Sequence, residues 1–198
     1  SFVAAEDTRV TQKLLSRYDI KARKISFNKD NYAKKIPEIL EELEKGDIAL
    51  ATDAGTPGIS DPAYRLIRAA IDSNFLVQSI PGPSAFLTAL VCSGLPTDRF
   101  IFEGFLPHKK GRKGKLEKIK DIDATVIYYE SPNRIKKTLN DILKYVGDRP
   151  AVICRELSKK FEEIFRGKVS ELLNNFNNGK AKGEFVIMIA KDDKNVYF

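Results

Sequence analysis

The chain has 198 residues, 42% hydrophobic and 31% charged, the balance of an ordinary soluble globular protein with room for one or two domains. No apolar run approaches the ~18 residues that a membrane span needs, and one His with two Cys leaves too few soft ligands for a zinc site. The excess of 34 basic over 27 acidic residues gives a net charge of +7, which fits a polyanionic partner such as RNA without requiring one.

Ser1-Phe-Val-Ala-Ala has neither a Met nor the charged-then-apolar layout of a signal peptide. It reads as a strand already under way, so a further segment of the natural protein is expected upstream. From there, short apolar runs alternate with segments of helical period. Strands are predicted at Phe2–Ala5, Arg23–Phe27, Ile48–Thr52, Leu76–Ile80, Arg99–Phe105, Ala124–Tyr129, Ala151–Arg155, Glu162–Arg166 and Glu184–Ala190. Helices are predicted at Thr8–Tyr18, Tyr32–Lys45, Asp61–Ser73, Ser84–Cys92, Arg112–Lys120, Arg134–Val146 and Ser170–Phe176. In the second of these, Ile36, Ile39, Leu40 and Leu43 share one face, and Gly46 stops it. This alternation predicts an α/β fold with a largely parallel sheet. The loop-like Ser93-Gly-Leu-Pro-Thr-Asp98 divides the chain into α/β domains at 1–97 and 98–198, with a cleft expected between them.

Two loops stand out. Asp47-Ile-Ala-Leu-Ala51 runs into Thr52-Asp-Ala-Gly-Thr-Pro-Gly-Ile-Ser-Asp-Pro62, and Phe75-Leu-Val-Gln-Ser-Ile80 runs into Pro81-Gly-Pro-Ser-Ala85. Ligands of open α/β sheets bind outside the carboxyl ends of strands, where small residues admit the backbone closely. Two such loops on neighbouring strands predict one pocket. Lys109-Lys-Gly-Arg-Lys-Gly-Lys115 puts five positive charges into seven residues; it is either a solvated loop or one that clasps phosphates. Cys92 and Cys154, each in an apolar setting, are read as buried free thiols of a reducing cytoplasm.

Asp53-Ala-Gly-Thr-Pro-Gly, Pro81-Gly-Pro-Ser-Ala, Phe105-Leu-Pro-His-Lys-Lys, Tyr129-Glu-Ser-Pro-Asn-Arg134, Arg155-Glu-Leu-Ser-Lys and Glu162-Glu-Ile-Phe-Arg-Gly167 occur in this order, after Glu6-Asp-Thr-Arg9. Together they closely resemble the ribosomal RNA small-subunit (cytidine-2′-O)-methyltransferases, the RsmI group of the tetrapyrrole methylase superfamily. The resemblance implies a class III methyltransferase fold of two α/β domains, usually homodimeric, with S-adenosylmethionine (SAM) in the cleft between the domains and the 30S subunit as partner. Carried over by position, it implies cofactor-binding roles for Asp53, Ala54, Gly55, Thr56, Pro57, Ile59, Pro81, Ser84, Ala85, Tyr129, Glu130, Gly183 and Glu184. Family members open with a strand and a Pro/Gly loop that lie upstream of Ser1. Where they carry paired histidines, this chain has Phe27-Asn-Lys-Asp-Asn31, so no catalytic histidine is expected there.

Methyl transfer from a sulfonium needs mainly alignment, whereas a 2′-hydroxyl needs a base or a cation beside its oxygen. Candidates at predicted strand ends are Asp7, Arg9, Glu130, Arg134, Arg155, Glu156 and Lys159. Asp7 is equally suited to capping the following helix. Arg155, Glu156, Glu162 and Glu163 are equally suited to ion pairs between domains or protomers. Asp53 either caps its turn or meets the SAM ammonium. His108, Lys109, Lys110, Arg112, Lys113 and Lys115 form the candidate RNA contact, and His108 suits a phosphate better than a general-base role. Two readings of other classes stay open: a methylase of a tetrapyrrole or diphthine precursor, and an RNA-binding module without catalysis.

Overall fold

The structure, a computed structural model, describes residues 1–176, 181–193, 195 and 196. The alternating pattern becomes two units, Ser1–Ser84 and Ala85–Phe198. In the first, β1 (Phe2–Ala5), β2 (Arg23–Ser26) and β3 (Ile48–Ala51) form a parallel sheet in the order β2-β1-β3. Helices α1 (Thr8–Arg17), α2 (Tyr32–Leu43) and α3 (Ala63–Asp72) make the crossovers. Strand β1 is central and buried along its whole length, because the crossovers of a parallel sheet lay helices over its faces. Phe2, Ala4, Ile25, Phe27, Ile39 and Leu66 close the core, each large side chain contributing ~1.5–3 kcal/mol on burial.

The predicted strand Leu76–Ile80 does not form. Those residues belong to no sheet, and Leu76 and Ile80 are 83% and 82% exposed. A β-prone run becomes a strand only when a neighbour offers a hydrogen-bonding ladder, and among the described residues none pairs with it.

The second unit holds α4 (Ala85–Ser93), β4 (Phe100–Phe105), α5 (Arg112–Ile119), β5 (Thr125–Glu130), α6 (Ile135–Tyr145), β6 (Pro150–Arg155), β7 (Glu163–Lys168), α7 (Val169–Asn174) and β8 (Phe185–Ile189). Its sheet runs β4-β5-β8-β6-β7. Here the expectation of a largely parallel sheet is corrected: β8 lies antiparallel between β5 and β6, and β7 is antiparallel to β6. The connection from Arg155 to Glu163 is too short for a parallel crossover, which needs a dozen residues or more. Apolar side chains alternate between two faces. Val126, Tyr128, Ile153 and Ile187 meet Leu116, Leu139, Ile142 and Leu172 of the helices on one side. Ile127, Val152, Cys154 and Met188 meet Ala89 and Leu90 of α4 on the other. Helix α4 therefore belongs with the second unit, although the boundary at 97 and 98 grouped it with the first. Arg166 on β7 donates to the carbonyls of Ser93 and Cys92, placing a cation at the negative end of α4.

Both cysteines are free; Cys154 is buried, and burial pushes its thiol up to about 12. Cys92 is exposed rather than buried, since it lies on α4 away from the face that Ala89 and Leu90 press onto the sheet. Among the described residues no helix is long and apolar enough to cross a membrane.

Candidate functional site

The carboxyl ends of β1 and β3 carry Glu6, Asp7 and Asp53. The backbone N–H of Asp7 donates to Asp53 Oδ1 at 3.2 Å and that of Asp53 to Glu6 Oε2 at 3.2 Å, so each acid fixes the other's strand end. Asp7 is also the N-cap of α1, accepting from the Arg9 N–H at 2.8 Å. It pairs with the Arg9 guanidinium at 2.6 Å, and that hydrogen bond lowers its carboxyl to about 2. Arg9 itself extends into solvent, 87% exposed.

The two loops expected to share a site do touch. Thr56 Oγ1 donates to the Pro83 carbonyl at 3.1 Å. Gly55 has φ +79°, and a Cβ added there would sit 3.7 Å from the same carbonyl oxygen. Asp61 accepts from the N–H groups of Gly58 and Ala63, locking the turn into α3, while Thr52 Oγ1 donates to the carbonyls of Ala54 and Gly55. The result is a braced loop with exposed backbone at Ala54 and Gly55 and an apolar side chain, Ile59, 44% exposed. Pro57 is half-buried and Pro81 exposed on the same pair of loops, which ends at Ser84.

In the second unit, β4, β5 and β6 end at one edge of the sheet, where β8 begins: Glu130 and Arg155 both register with Phe185. Ala85 and Tyr129 come together there, because the Phe86 N–H donates to the Tyr129 hydroxyl at 3.2 Å. Phe102 and Phe105 meet the Tyr129 ring edge-on, at 4.8 and 5.6 Å between centroids.

Glu130 is buried. Its Oε2 accepts from Thr138 Oγ1 at 2.5 Å, and its Oε1 from the Ser131 N–H at 2.8 Å, with Arg134 Nε 3.3 Å away. Arg134 turns back to the Leu106 carbonyl at 2.5 Å and lies 3.4 Å from His108 Nε2. Arg112, expected to face RNA, is 5% exposed. Its guanidinium donates to Asp141 at 2.7 Å, Thr138 Oγ1 at 2.7 Å and the Pro107 carbonyl at 3.2 Å. Lys115 is likewise occupied, reaching Glu103 Oε2 at 2.7 Å and its carbonyl at 3.0 Å. Within this unit both cations serve as struts. Three of the five Arg112 N–H donors and two of the three on Lys115 are engaged in this way. His108, Lys109, Lys110 and Lys113 remain exposed.

Beyond β6, Glu156 and Ser158 take positive φ values of +50° and +59°, uncommon for residues with a Cβ. Glu156 Oε1 accepts from the Glu184 N–H at 2.9 Å and from Lys159 Nζ at 3.0 Å, and Lys159 also reaches Glu184 at 2.6 Å. The Lys159 hydrogen bond, then that of the Glu184 backbone, hold the Glu156 carboxyl below its usual range. Glu156 passes so close over Gly183 that a Cβ there would meet it at 2.5 Å. Arg155 donates to the Lys182 carbonyl at 2.8 Å and pairs with Glu163, so Arg155, Glu156, Gly183 and Glu184 are one assembly. Sequence reading overlooked Thr138 and the strut role of Arg112. Both had a signal: Arg112 heads the buried spacing of Leu116 and Ile119, and Thr138 sits among Ile135, Leu139 and Ile142.

Residues 1–173 match the family described as Tetrapyrrole (Corrin/Porphyrin) Methylases. A ribosomal RNA small subunit methyltransferase I from Thermotoga maritima is 44% identical over 189 residues, covering 95% of this chain and 85% of its own. Its counterpart from Halalkalibacterium halodurans is 44% identical over 196 residues, covering 98% of this chain and 68% of its own. Among solved structures, the methyltransferase CobJ superposes with TM-score 0.64 at 15% identity, covering 96% of this chain and 93% of that one. Uroporphyrin-III C-methyl transferase from Thermus thermophilus, complexed with S-adenyl homocysteine, does so with TM-score 0.63 at 14% identity, covering 94% and 84%. Likeness at that identity speaks for the fold, and the closer sequences speak for the branch. With its glycine-braced loops at the ends of parallel strands, the chain belongs to the tetrapyrrole (corrin/porphyrin) methylases, beside the small-subunit ribosomal RNA methyltransferases I.

Proposed function

We propose that this chain transfers the methyl group of SAM to RNA of the small ribosomal subunit, at the 2′-hydroxyl of a cytidine. Relatives named as methyltransferases of that RNA are 44% identical across nearly the whole chain, whereas the likeness to corrin and porphyrin enzymes carries the fold alone. The observation that supports a SAM site most directly is the bond from Thr56 Oγ1 to the Pro83 carbonyl, 3.1 Å, which makes one braced surface of two Gly/Pro loops. The residues fit such a group: bare backbone at Gly55, an exposed apolar Ile59 and the carboxylate of Asp53 beside them. When bound, SAM supplies a methyl already activated on sulfur, so the protein's task is alignment.

The carboxyls held below their usual range, Asp7 and Glu156, are poor proton acceptors near neutral pH, because a general base works best when its pKa lies near the operating pH. Their role is to orient cations. Asp7 holds Arg9 at 2.6 Å with the guanidinium out in solvent, and Arg9 is the group best suited to stabilise charge developing on the hydroxyl oxygen. Glu156 does the same for Lys159. The resemblance also implies a homodimer acting in the cytoplasm, where ribosomes are made.

The test is transfer of labelled methyl from SAM to purified small subunits, with a porphyrinogen as competing acceptor. The expected product is an alkali-resistant ribose linkage. Label on the porphyrinogen alone overturns the reading.

A further inference from the structure

The segment 106–113 is not a free loop. It runs beside α6 from end to end: Leu106 O and His108 lie at Arg134, Arg112 spans Thr138 and Asp141, and Lys113 Nζ sits 5.9 Å over the Tyr145 ring. Lys144 Nζ approaches the same ring at 5.2 Å. Residues 134 to 145 of a helix cover about 16 Å at 1.5 Å per residue, and Arg112 is the strut that makes the two segments one surface.

The charge on that surface is predominantly positive. Lys109, Lys110, Lys113, Lys136, Lys137 and Lys144 are all exposed. Lys137 and Lys144 stand two turns apart on one helix face with Asp141 between them, and Asp141 is paired with Arg112 at 2.7 Å. Glu117 faces Lys113 only loosely, at 3.6 Å. Tyr145 supplies an aromatic ring that both ammonium groups approach.

We infer that α6 is the second half of an RNA-backbone track, in which Lys137 and Lys144 take phosphates in line with Lys109, Lys110 and Lys113. A row of cations along a helix matches a polyanion of regular spacing, and about 16 Å spans several nucleotides at ~3.4 Å per step along one strand. The inference rests on the proposed RNA substrate and adds to it a surface outside the Lys109–Lys115 motif.

The experiment compares Lys137→Ala/Lys144→Ala with Lys109→Ala/Lys110→Ala in binding purified small-subunit ribosomal RNA at a series of salt concentrations. Each pair should make the log–log salt dependence shallower by ~1.4–1.8, from ~0.7–0.9 per phosphate contact. Melting temperature and SAM binding should match the parent in both, and Lys144→Glu should weaken binding further than Lys144→Ala. A reduced slope for the loop pair with an unchanged slope for the α6 pair overturns the track and leaves the RNA reading standing. RNA binding absent in the parent overturns both.

Discussion

Replacing Thr138 by Val removes one oxygen and almost no volume. That oxygen donates to Glu130 Oε2 at 2.5 Å and accepts from Arg112 Nη2 at 2.7 Å, and all three side chains are buried. A hydrogen bond to a charged group contributes ~1.5–3 kcal/mol. Glu130 keeps the Ser131 N–H and Arg134, and Arg112 keeps Asp141 and the Pro107 carbonyl, so neither charge is left bare. The expected cost is therefore near the lower end for two bonds, ~3 kcal/mol. At ~2–4 °C per kcal/mol for a chain of this size, thermal unfolding followed by circular dichroism should show the second unit melting ~6–12 °C lower. Thr138→Ser, which loses a methyl and keeps the hydroxyl, should cost only ~1 kcal/mol. Equal melting of the Val variant and the parent, or of the Ser and Val variants, refutes the assignment of the hydroxyl as the bridge.

The remaining expectations are of other kinds. Gly55→Val puts a branched side chain at φ +79° beside the Pro83 carbonyl, and calorimetric titration should show SAM affinity falling by tenfold or more (~1.4 kcal/mol); undiminished affinity removes the loop from the site. Gly183→Ala forces Glu156 aside, at a cost of ~1–3 kcal/mol, and adding Glu156→Ala should recover part of it; strictly additive losses in denaturant titration argue against the clash. Because the Asp7 carboxyl is lowered from 3.8 to about 2, its contribution is present above pH 4 and fades as pH falls from 3.8 towards 2. Asp7→Asn should accordingly flatten the acid limb of stability in that window, and an unchanged limb shows that the Arg9 pair carries none of it.

Much of this was written in residue order. β1 and the starts of α1, α2 and α5 fall where periodicity puts them, with Asp7 capping α1, because a buried strand and an amphipathic helix each advertise their period locally. The first Gly/Pro loop was legible for a similar reason: Gly55 and Gly58 hold positive φ that few other residues tolerate. What could not be read was partnership. Leu76–Ile80 has strand composition and, among the described residues, no strand that pairs with it. Helix α4 (Ala-Phe-Leu-Thr-Ala-Leu-Val-Cys-Ser) is apolar nearly all round, so nothing in it says which sheet it covers. Arg112 sits in a run of five cations and looks like the rest, and only the acceptors contributed by Asp141, Thr138 and Pro107 distinguish a strut from a grip.

The antiparallel β8 has a consequence in time. It is the last of the described strands in chain order and the middle one in its sheet, buried at every position between β5 and β6. While the chain is being made, β4 and β5 can pair on one side and β6 and β7 on the other, but the two ribbons have no shared edge until Phe185–Ile189 emerges. At ~5–20 residues per second, the 30 residues from Arg155 to Phe185 take about 1.5–6 s. For those seconds two apolar strand edges wait unpaired, and that interval is when a nascent chain is most open to chaperones and to mispairing with its neighbours.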